Sequence, residues 1–450
     1  MLAIVVSRAD EASVRIGEQL RAVADWTESV DEGRPDAAGG GTVYRTEGAE
    51  LREFDGRHLE LEGVGDVYDA PDLLVFASKH AGATDELLTA HHTGNFGVAE
   101  YGGESGQFAR AAPNAHRAVV GALADHAPEG YEVGTECTHH GPTDVGVPSM
   151  FVEVGSAEPQ WRDPAAARAV ARAILDCRGV SPDAPDEGGH RRQLVGFGGG
   201  HYAPRFERVV RETDWAVGHI GADWCLDALE EWAGDASQYE AVIERAVAAS
   251  GAEYALVTGD SPGLADRIES LGYRVVDERF VRETTGVPLE LVEAFEAAVG
   301  PVEDGLRFGD AATDGADAWR VVDLPADLVA EATGIDAAAV RSWFEANALA
   351  FGTEQQGTVV TGPVVLAATD RSTVVDALAD VLRQRYDSVE VADGELRARE
   401  ERFDPDLADT LGIPEGPKYG KLSAGQSVEV NGREIEPETV QSERIRRFTL

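Results

Sequence analysis

The sequence predicts a layered α/β domain over residues 1–290, with an α+β extension behind it. Three observations carry this expectation. Short apolar runs alternate with helical patterns throughout the first 290 residues. Hydrophobic residues make up 43% of the chain, enough for a core and too many for global disorder. Past residue 290 the alternation gives way to longer helices and a strand-rich end.

"LAIVVSRADEASVRIGEQL" opens with a buried strand, a turn and an amphipathic helix whose apolar side carries Val14, Ile16 and Leu20. Residues 31–42 read as a polar, glycine-rich loop. "DLLVFA", "YEVGT" and "SMFVEVG" read as strands, "AAARAVARAILDC" as a helix and residues 182–192 as a loop. "QLVGFGGGHYAPRFERVV" gives a strand, a glycine turn and a helix opening behind Pro204. "YALVTGDSPGLADRIESLGYRVVD" adds strand, helix and strand. Beyond it, "LELVEAFEAAVG" and "LVAEATGIDAAAVRSWFEANALA" are helical, "GTVVTGPVVLA" is strand-like and "RSTVVDALADVLRQRY" is a helix. The expected segments are therefore 1–290, an extension over 291–400 and a small strand-rich tail over 401–450.

The formal charge is -43, with 82 acidic residues spread through every segment. Lys79, Lys418 and Lys421 are the only lysines. An evenly acidic surface suits concentrated salt, where the Debye length shrinks to roughly 3 Å at 1 M. A polyanionic partner would have to meet local basic clusters against the mean field. Cys137, Cys177 and Cys225 are scattered and form no CxxC pair, which argues against a disulfide framework or a zinc ribbon. The N-terminal apolar run is too short for a signal peptide or a membrane span. The expectation is a cytoplasmic chain with no membrane or DNA partner, monomeric.

All eleven histidines lie between His58 and His219. They gather in "ASKHAGATDELLTAHHTGNFG", "ECTHHGPTD" and "GFGGGHYAPR", each just after a strand-like run. In open α/β sheets, loops at the carboxyl ends of strands converge on one edge. Three such loops would bring His80, His91, His92, His139, His140 and His201 together. A lone histidine at a strand end is ordinarily a satisfied core group; two HH doublets with KH and GGGH on successive strand ends are not. If "ECTHH" stays extended, Glu136, Thr138 and His140 share one face, and Cys137 and His139 the other. Imidazole and carboxylate suit zinc, which brings a bound water's pKa to about 7. Cys137 reads as a packed residue. The glycines before His201 lack the Lys-Ser/Thr of a P-loop and permit close backbone approach or supply amide donors. Lys79, retained where the chain otherwise uses arginine, suggests a compact ammonium for a phosphate or a developing oxyanion.

With "IVVSRADEAS", "FASKHAG", "LLTAHHTGNFG", "ECTHHGPTDVGVPSMFVEVGS" and "GGGHYAPRFERVV" in this order, residues 1–290 resemble the archaeal and plant-type D-aminoacyl-tRNA deacylases. The resemblance implies a phosphorylase/hydrolase-like core with a mixed sheet and helices on both faces. It also implies a zinc-containing enzyme that hydrolyses the ester joining a D-amino acid to tRNA. The family motifs fall on Lys79, His80, His91, His92, Thr93, Asn95, Glu136, His139, His140, Asp144, His201 and Arg205. Chemistry then suggests roles. His91, Glu136, His139, His140 and His201 are candidate metal ligands or their orienting groups. Lys79, His80, His92 and His140 are candidate catalytic groups, with Lys79 or His80 stabilising the oxyanion or protonating the ribose oxygen. Thr93, Asn95, Gly199, Gly200 and Arg205 are candidate substrate contacts. The rival readings are a metal-dependent amidohydrolase acting on small amides and a non-catalytic tRNA-binding protein.

Residues 403–440 lie outside that resemblance. "GIPEGPKYGKLSAG" and the strand pair after it resemble part of ribonuclease Z, without that enzyme's histidine motifs. Lys418, Lys421, Arg433 and "RIRRF" give local positive charge, expected either to hold tRNA or to belong to a small β cap.

Overall fold

The structure, a computed structural model, describes residues 1–259, 263–367 and 371–450. It divides into two units, Met1–Leu289 and Glu290–Leu450.

The first unit begins with β1 (Leu2–Ser7), α1 (Glu11–Val23), β2 (Thr27–Asp31), β3 (Gly41–Thr46) and β4 (Ala49–Phe54). It continues through β5 (Leu73–Lys79), β6 (Leu87–His91), α2 (Pro113–His126), β7 (Glu132–Thr135) and β8 (Ser149–Gly155) to α3 (Glu158–Trp161) and α4 (Pro164–Asp176). The eight strands form one mixed sheet in the order β2-β3-β4-β1-β5-β8-β6-β7. β4, β1, β5 and β8 are parallel, and the apolar runs of β1, β5 and β8 follow from burial on both faces. Asp10 caps α1, its carboxylate accepting from the Ser13 amide at 3.1 Å. α1, α4 and α2 lie side by side against one face of the sheet. The other face carries Ala3, Val5, Phe54, Leu74, Phe76 and Phe151, covered by Val64, Tyr68 and Val145 from connecting loops.

β6 and β7 run the other way. β6 is antiparallel to β8, which sets its last residue, His91, opposite Phe151 in the body of the sheet. This corrects the expectation that three carboxyl-end loops meet at one edge. His80 and His201 do follow carboxyl ends, but His91 arrives from a reversed strand and lands on the sheet face.

A hairpin, β9 (Asp186–Glu187) and β10 (His190–Arg191), leads to β11 (Gln193–Phe197), α5 (Pro204–Glu212), β12 (Ala216–Gly221), α6 (Asp223–Trp232) and α7 (Ala236–Ser250). β13 (Tyr254–Val257), α8 (Leu264–Ser270) and β14 (Arg274–Val276) follow. Their sheet is wholly parallel, in the order β12-β11-β13-β14. Part of the turn expected between β13 and α8 lies outside the described residues. After β11 the chain passes so close to β13 that a Cβ on Gly198 would sit 2.0 Å from the Thr258 carbonyl oxygen. Gly198 also has φ +97°, a backbone that favours glycine.

In the second unit, Leu306–Phe308, Ala350–Glu354, Val359–Ala367 and Trp319–Val322 form an antiparallel sheet in that order. Its core includes Leu328 and Phe344 of the helix Ala326–Asn347. A second sheet holds Ser388–Ala392, Glu395–Phe403 and Gln441–Thr449. The expected boundary at 400/401 falls inside Glu395–Phe403, which pairs along its whole length with Gln441–Thr449. Residues 404–440 are thus an insertion between two adjacent strands, with a small core of Ala408, Ile413, Leu422, Val428, Val430 and Val440. Among the described residues no helix is long and apolar enough to cross a membrane.

Gly198→Ala is expected to lower unfolding stability by about 3 kcal/mol, through overpacking and strained φ together. Urea denaturation at fixed high salt reads this; an unchanged midpoint would show that the turn tolerates a side chain.

Candidate active site

The floor of the site is set by strand register. Phe76 of β5 and Phe151 of β8 are register partners and stack at 4.5 Å. Two residues further along the same face stand Ser78 and Glu153. Glu153 is only 3% exposed, and it is a member of the cluster that the sequence reading passed over. A signal for it existed: it is the sole charge in the run "SMFVEVG", and an unpaired carboxylate buried in a strand is too unfavourable to persist without partners.

Glu153 has His80 and His91 as partners, and Glu136, just past β7, gathers His80, His139 and His201. His80, directly after β5, holds Nδ1 3.2 Å from Glu136 Oε1 and 3.7 Å from Glu153 Oε2. Its Nε2 lies 3.1 Å from the Tyr202 hydroxyl. His201 Nε2 meets Glu136 Oε2 at 2.9 Å. His91 Nε2 is 3.8 Å from Glu153 Oε1, and His139 Nε2 is 3.9 Å from Glu136 Oε2. The His91, His139 and His140 rings pack with centroids 4.5 to 5.0 Å apart. The alternation expected for "ECTHH" is not observed. β7 ends at Thr135, and His140 has φ +50°, so the chain turns and both rings of the doublet enter one cluster.

Backbone carbonyls fix three of these imidazoles. His91 Nδ1 donates to the His92 carbonyl at 3.1 Å, His139 Nδ1 to Cys137 at 2.8 Å and His140 Nδ1 to Gly141 at 2.7 Å. A carbonyl only accepts, so each Nδ1 carries a hydrogen and Nε2 is the atom turned to the cluster; at His91, against burial, the Glu153 carboxylate favours the charged ring. One potential ligand atom from each of His91, His139 and His140 lies within 4.8 Å of the others, and the same holds for His80, Glu136 and His201. His91 Nε2 and Glu136 Oε1 are buried without a hydrogen-bond partner; the 3.2 Å approach of His80 to Glu136 lacks hydrogen-bond geometry. Two buried carboxylates, converging imidazole lone pairs and orphaned polar atoms fit a divalent cation.

The electrostatics agree. Burial opposes charge on His80, but Glu136 and Glu153 outweigh it and raise its pKa to about 11. His201 rises to about 10 through Cys137 and Glu136. Cys137 itself is pushed up to about 12, by Cys225 and by burial, so at neutral pH it is a thiol and Glu136 supplies the charge that His201 answers. Burial also disfavours both carboxylates, yet the histidines hold Glu153 near 2 and Glu136 well below the usual range. His140 is driven well below its ordinary value by burial and by its neighbours His139 and His91. Protons on His80 and His201 thus supply the positive charge that the carboxylates demand.

Other sequence-predicted residues lie elsewhere. His92 is buried on the opposite side from His91, with Nδ1 3.0 Å from the Gly218 carbonyl and its ring beside His116 and His219. It lines neither cavity described below, because neighbouring strand-end residues point to opposite faces; its expected catalytic place is corrected. The Thr93 hydroxyl is engaged by the Pro142 carbonyl at 2.7 Å. Asn95 Nδ2 holds the Gly102 and Glu104 carbonyls. The Gly199 amide is taken by Asp223 Oδ1 at 3.1 Å, so the glycine turn anchors α6 instead of offering that donor; the Gly200 carbonyl accepts from Ala203. Arg205 is exposed on α5 and lines neither cavity. Lys79 is half-buried, its ammonium 4.8 Å over the Trp161 ring, and it lines the first cavity. Lys418 Nζ donates to the Glu429 carbonyl, and Lys421 is exposed, both in the second unit. Asp10, His58, Tyr101 and Tyr202 were not foreseen and flank the cluster.

Two cavities reach this cluster. One, of about 610 Å³, is lined by Asp10, His58, Lys79, His80, Phe151 and Glu153; the other, of about 660 Å³, by Asn95, Phe96, Val98, Trp224 and Trp232.

Fold and site together define a layered α/β protein whose sheet face carries a histidine–carboxylate centre open to two cavities. The family model described as D-aminoacyl-tRNA deacylase matches residues 67–275. A D-aminoacyl-tRNA deacylase of Haloarcula marismortui is 64% identical over the whole of both chains, and one of Natronomonas pharaonis 54% identical, again over both chains. One from Methanoregula boonei is 34% identical over 98% of this chain and 96% of its own. The crystal structure of a conserved protein of unknown function, AF0625, matches with a TM-score of 0.54 at 28% identity, over 63% of this chain and 98% of that one. The chain belongs to the D-aminoacyl-tRNA deacylase family.

Beside the site, His58, His116 and His219 are each held near pKa 4 by burial. Unfolding returns them to about 6.5, so below that pH the unfolded chain binds the extra protons. Stability from these groups is complete above pH 6.5 and is lost as pH falls towards 4. His116→Leu should therefore gain about 3 kcal/mol relative to wild type between pH 6.5 and 4. Paired urea titrations check this; a constant difference across the window would contradict it.

Proposed function

We propose that the chain hydrolyses the ester bond of D-aminoacyl-tRNA, releasing free D-amino acid and tRNA, with water activated inside the histidine–carboxylate cluster. The single observation that supports this most is the convergence of His80, His91, Glu136, His139, His140, Glu153 and His201 beside two cavities. Zinc suits the donor set: His91, His139 and His140 would hold it, which leaves His80 free to act as an acid, and when bound it would supply Lewis acidity and a water of lowered pKa.

The chain's own residues do the remaining work. Glu136 and Glu153, both ionised, hold His80 protonated and fix its ring, placing a proton donor at the cavity wall. As water adds to the ester carbonyl carbon, negative charge grows on the carbonyl oxygen; the Lys79 ammonium at the same cavity is the nearby positive charge. The carbon–oxygen ester bond then breaks, His80 gives its proton to the departing ribose oxygen, and the proton shed by the attacking water returns to His80. Buried neutral His140 holds its Nε2 lone pair towards the cluster instead of taking a proton. The reaction belongs where charged tRNA is found, in the cytoplasm, and it clears D-amino acids from the translation pool.

The second unit is the place for a wider hold on tRNA. The 404–440 insertion, with its ribonuclease Z-like segment, carries Lys418 and Lys421, the only lysines outside the first unit. The amidohydrolase reading is tested by the same assays with small acyl-amides as substrate.

His140→Asn removes the imidazole, and asparagine tolerates the left-handed backbone there. Deacylation of D-aminoacyl-tRNA should fall at least about 100-fold, with circular dichroism unchanged; full turnover would take His140 out of the mechanism. A chelator should abolish release from matched D-aminoacyl-tRNA, and added zinc should restore it. Lys418→Glu with Lys421→Glu should raise KM for charged tRNA roughly threefold or more without changing kcat; an equal KM would leave the insertion a structural cap.

A further inference from the structure

The two cavities are not separate sites. Tyr101, His139, His140 and His201 line both, so the histidine cluster is a partition with one chamber on each side. A substrate that reacts at the partition can place one of its halves in each chamber. An aminoacyl ester of a nucleoside has two such halves, and the chambers differ in chemistry.

The first chamber is charged: Asp10, Arg57, Lys79 and Glu153 line it. The second is aromatic. Phe96, Tyr101, Trp224 and Trp232 line it, with Val98 at its mouth. Trp224 is 48% exposed and Tyr101 66%, unusual for large rings. Trp224 stands in the first turn of α6, held by the Asp223–Gly199 contacts, its ring inclined 27° to that of His201 at 6.5 Å. Tyr101 sits in a loop tied down on two sides: Asn95 Nδ2 grips the Gly102 and Glu104 carbonyls, and the Gly141 amide donates to the Tyr101 carbonyl. Rigid, solvent-facing aromatic planes at a reaction centre are stacking platforms for a base. The carboxylates in this chamber, Glu100 and Glu231, disfavour a phosphate there and leave an uncharged base as the better occupant.

Resting on the deacylase reading, we propose that the Trp224 chamber is the subsite for the terminal nucleoside of the charged tRNA, with Trp224 stacking on its base, and that the aminoacyl group occupies the Asp10–Lys79 chamber. The Asn95 and glycine-turn residues then act as positioning residues, holding Tyr101 and Trp224 in place.

Two measurements test this on the full-length protein at high salt. The first is equilibrium dialysis with adenosine 5′-monophosphate and, separately, ribose 5-phosphate. Wild type should bind the nucleotide and not the sugar phosphate; Trp224→Ala should lose binding at least roughly fivefold and Trp224→Phe should keep most of it. The second is steady-state deacylation, in which Trp224→Ala should raise KM by a similar factor while Trp224→Phe stays near wild type. If wild type binds no adenosine 5′-monophosphate, or Trp224→Ala binds it as well as wild type does, the assignment is overturned. Binding of ribose 5-phosphate as tight as the nucleotide would also overturn it, since the phosphate would then be the recognised part. A wild type that binds the nucleotide through Trp224 but releases no amino acid would sink the deacylase reading and leave the nucleoside subsite standing.

Discussion

Two buried carboxylates, one on the face of a β-sheet and one just past a strand end, set the terms for everything around them. Removing Glu136 and Glu153 from water is unfavourable by several kcal/mol each unless positive charge or strong donors compensate. The first unit answers with imidazoles from four segments: His80 after β5, His91 at the end of β6, the His139–His140 turn, and His201 after β11. None of these segments is held there by local propensity. Each is held by sheet pairing or by a backbone hydrogen bond, such as the Cys137 amide to the His201 carbonyl at 2.8 Å. The core therefore positions the histidines, and the carboxylates fix their charge.

The reversal of β6 and β7 makes this possible. Had β6 continued the parallel order, its carboxyl end would lie level with that of β5, and His91 would sit at the rim. Running antiparallel to β8, it brings His91 down beside Phe151, where stacking at 5.4 Å and the His92 carbonyl lock the ring. The same geometry sends His92 through the sheet to the far side, where with His116 and His219 it forms an uncharged polar core. One histidine doublet thus serves two different purposes within a single residue step.

Much of the fold and part of the site were legible in the sequence. The runs Leu73–Lys79, Ser149–Gly155 and Gln193–Phe197 read correctly because strands buried on both faces are continuous apolar stretches. The gathering of His80, His91, His139, His140 and His201 was legible because each lies beside a strand. What failed was parity and direction. Sequence period says that His91 and His92 face opposite ways but not which faces the site, and strand order alone decides that β6 is reversed. The extended reading of residues 136–140 failed because a single positive φ at His140 undoes alternation. Glu153 was hidden by its surroundings: a strand that reads as pure core gives little reason to suspect its one acid.

The charge of the chain constrains how such a centre holds a nucleic acid at all. With a formal charge of -43, long-range attraction for a polyanion is absent, and in molar salt the Debye length of roughly 3 Å confines what local lysines add to direct contact. Affinity that depends on counterion release falls steeply under the same conditions. Contacts that survive are those made at van der Waals distance or within a hydrogen bond, where no ion intervenes. The second cavity, with Tyr101, Trp224 and Trp232 around a wall of histidines, is built from such contacts. A chain adapted to salt in its surface composition must carry its recognition in aromatic planes and buried charge, and both are concentrated around the partition.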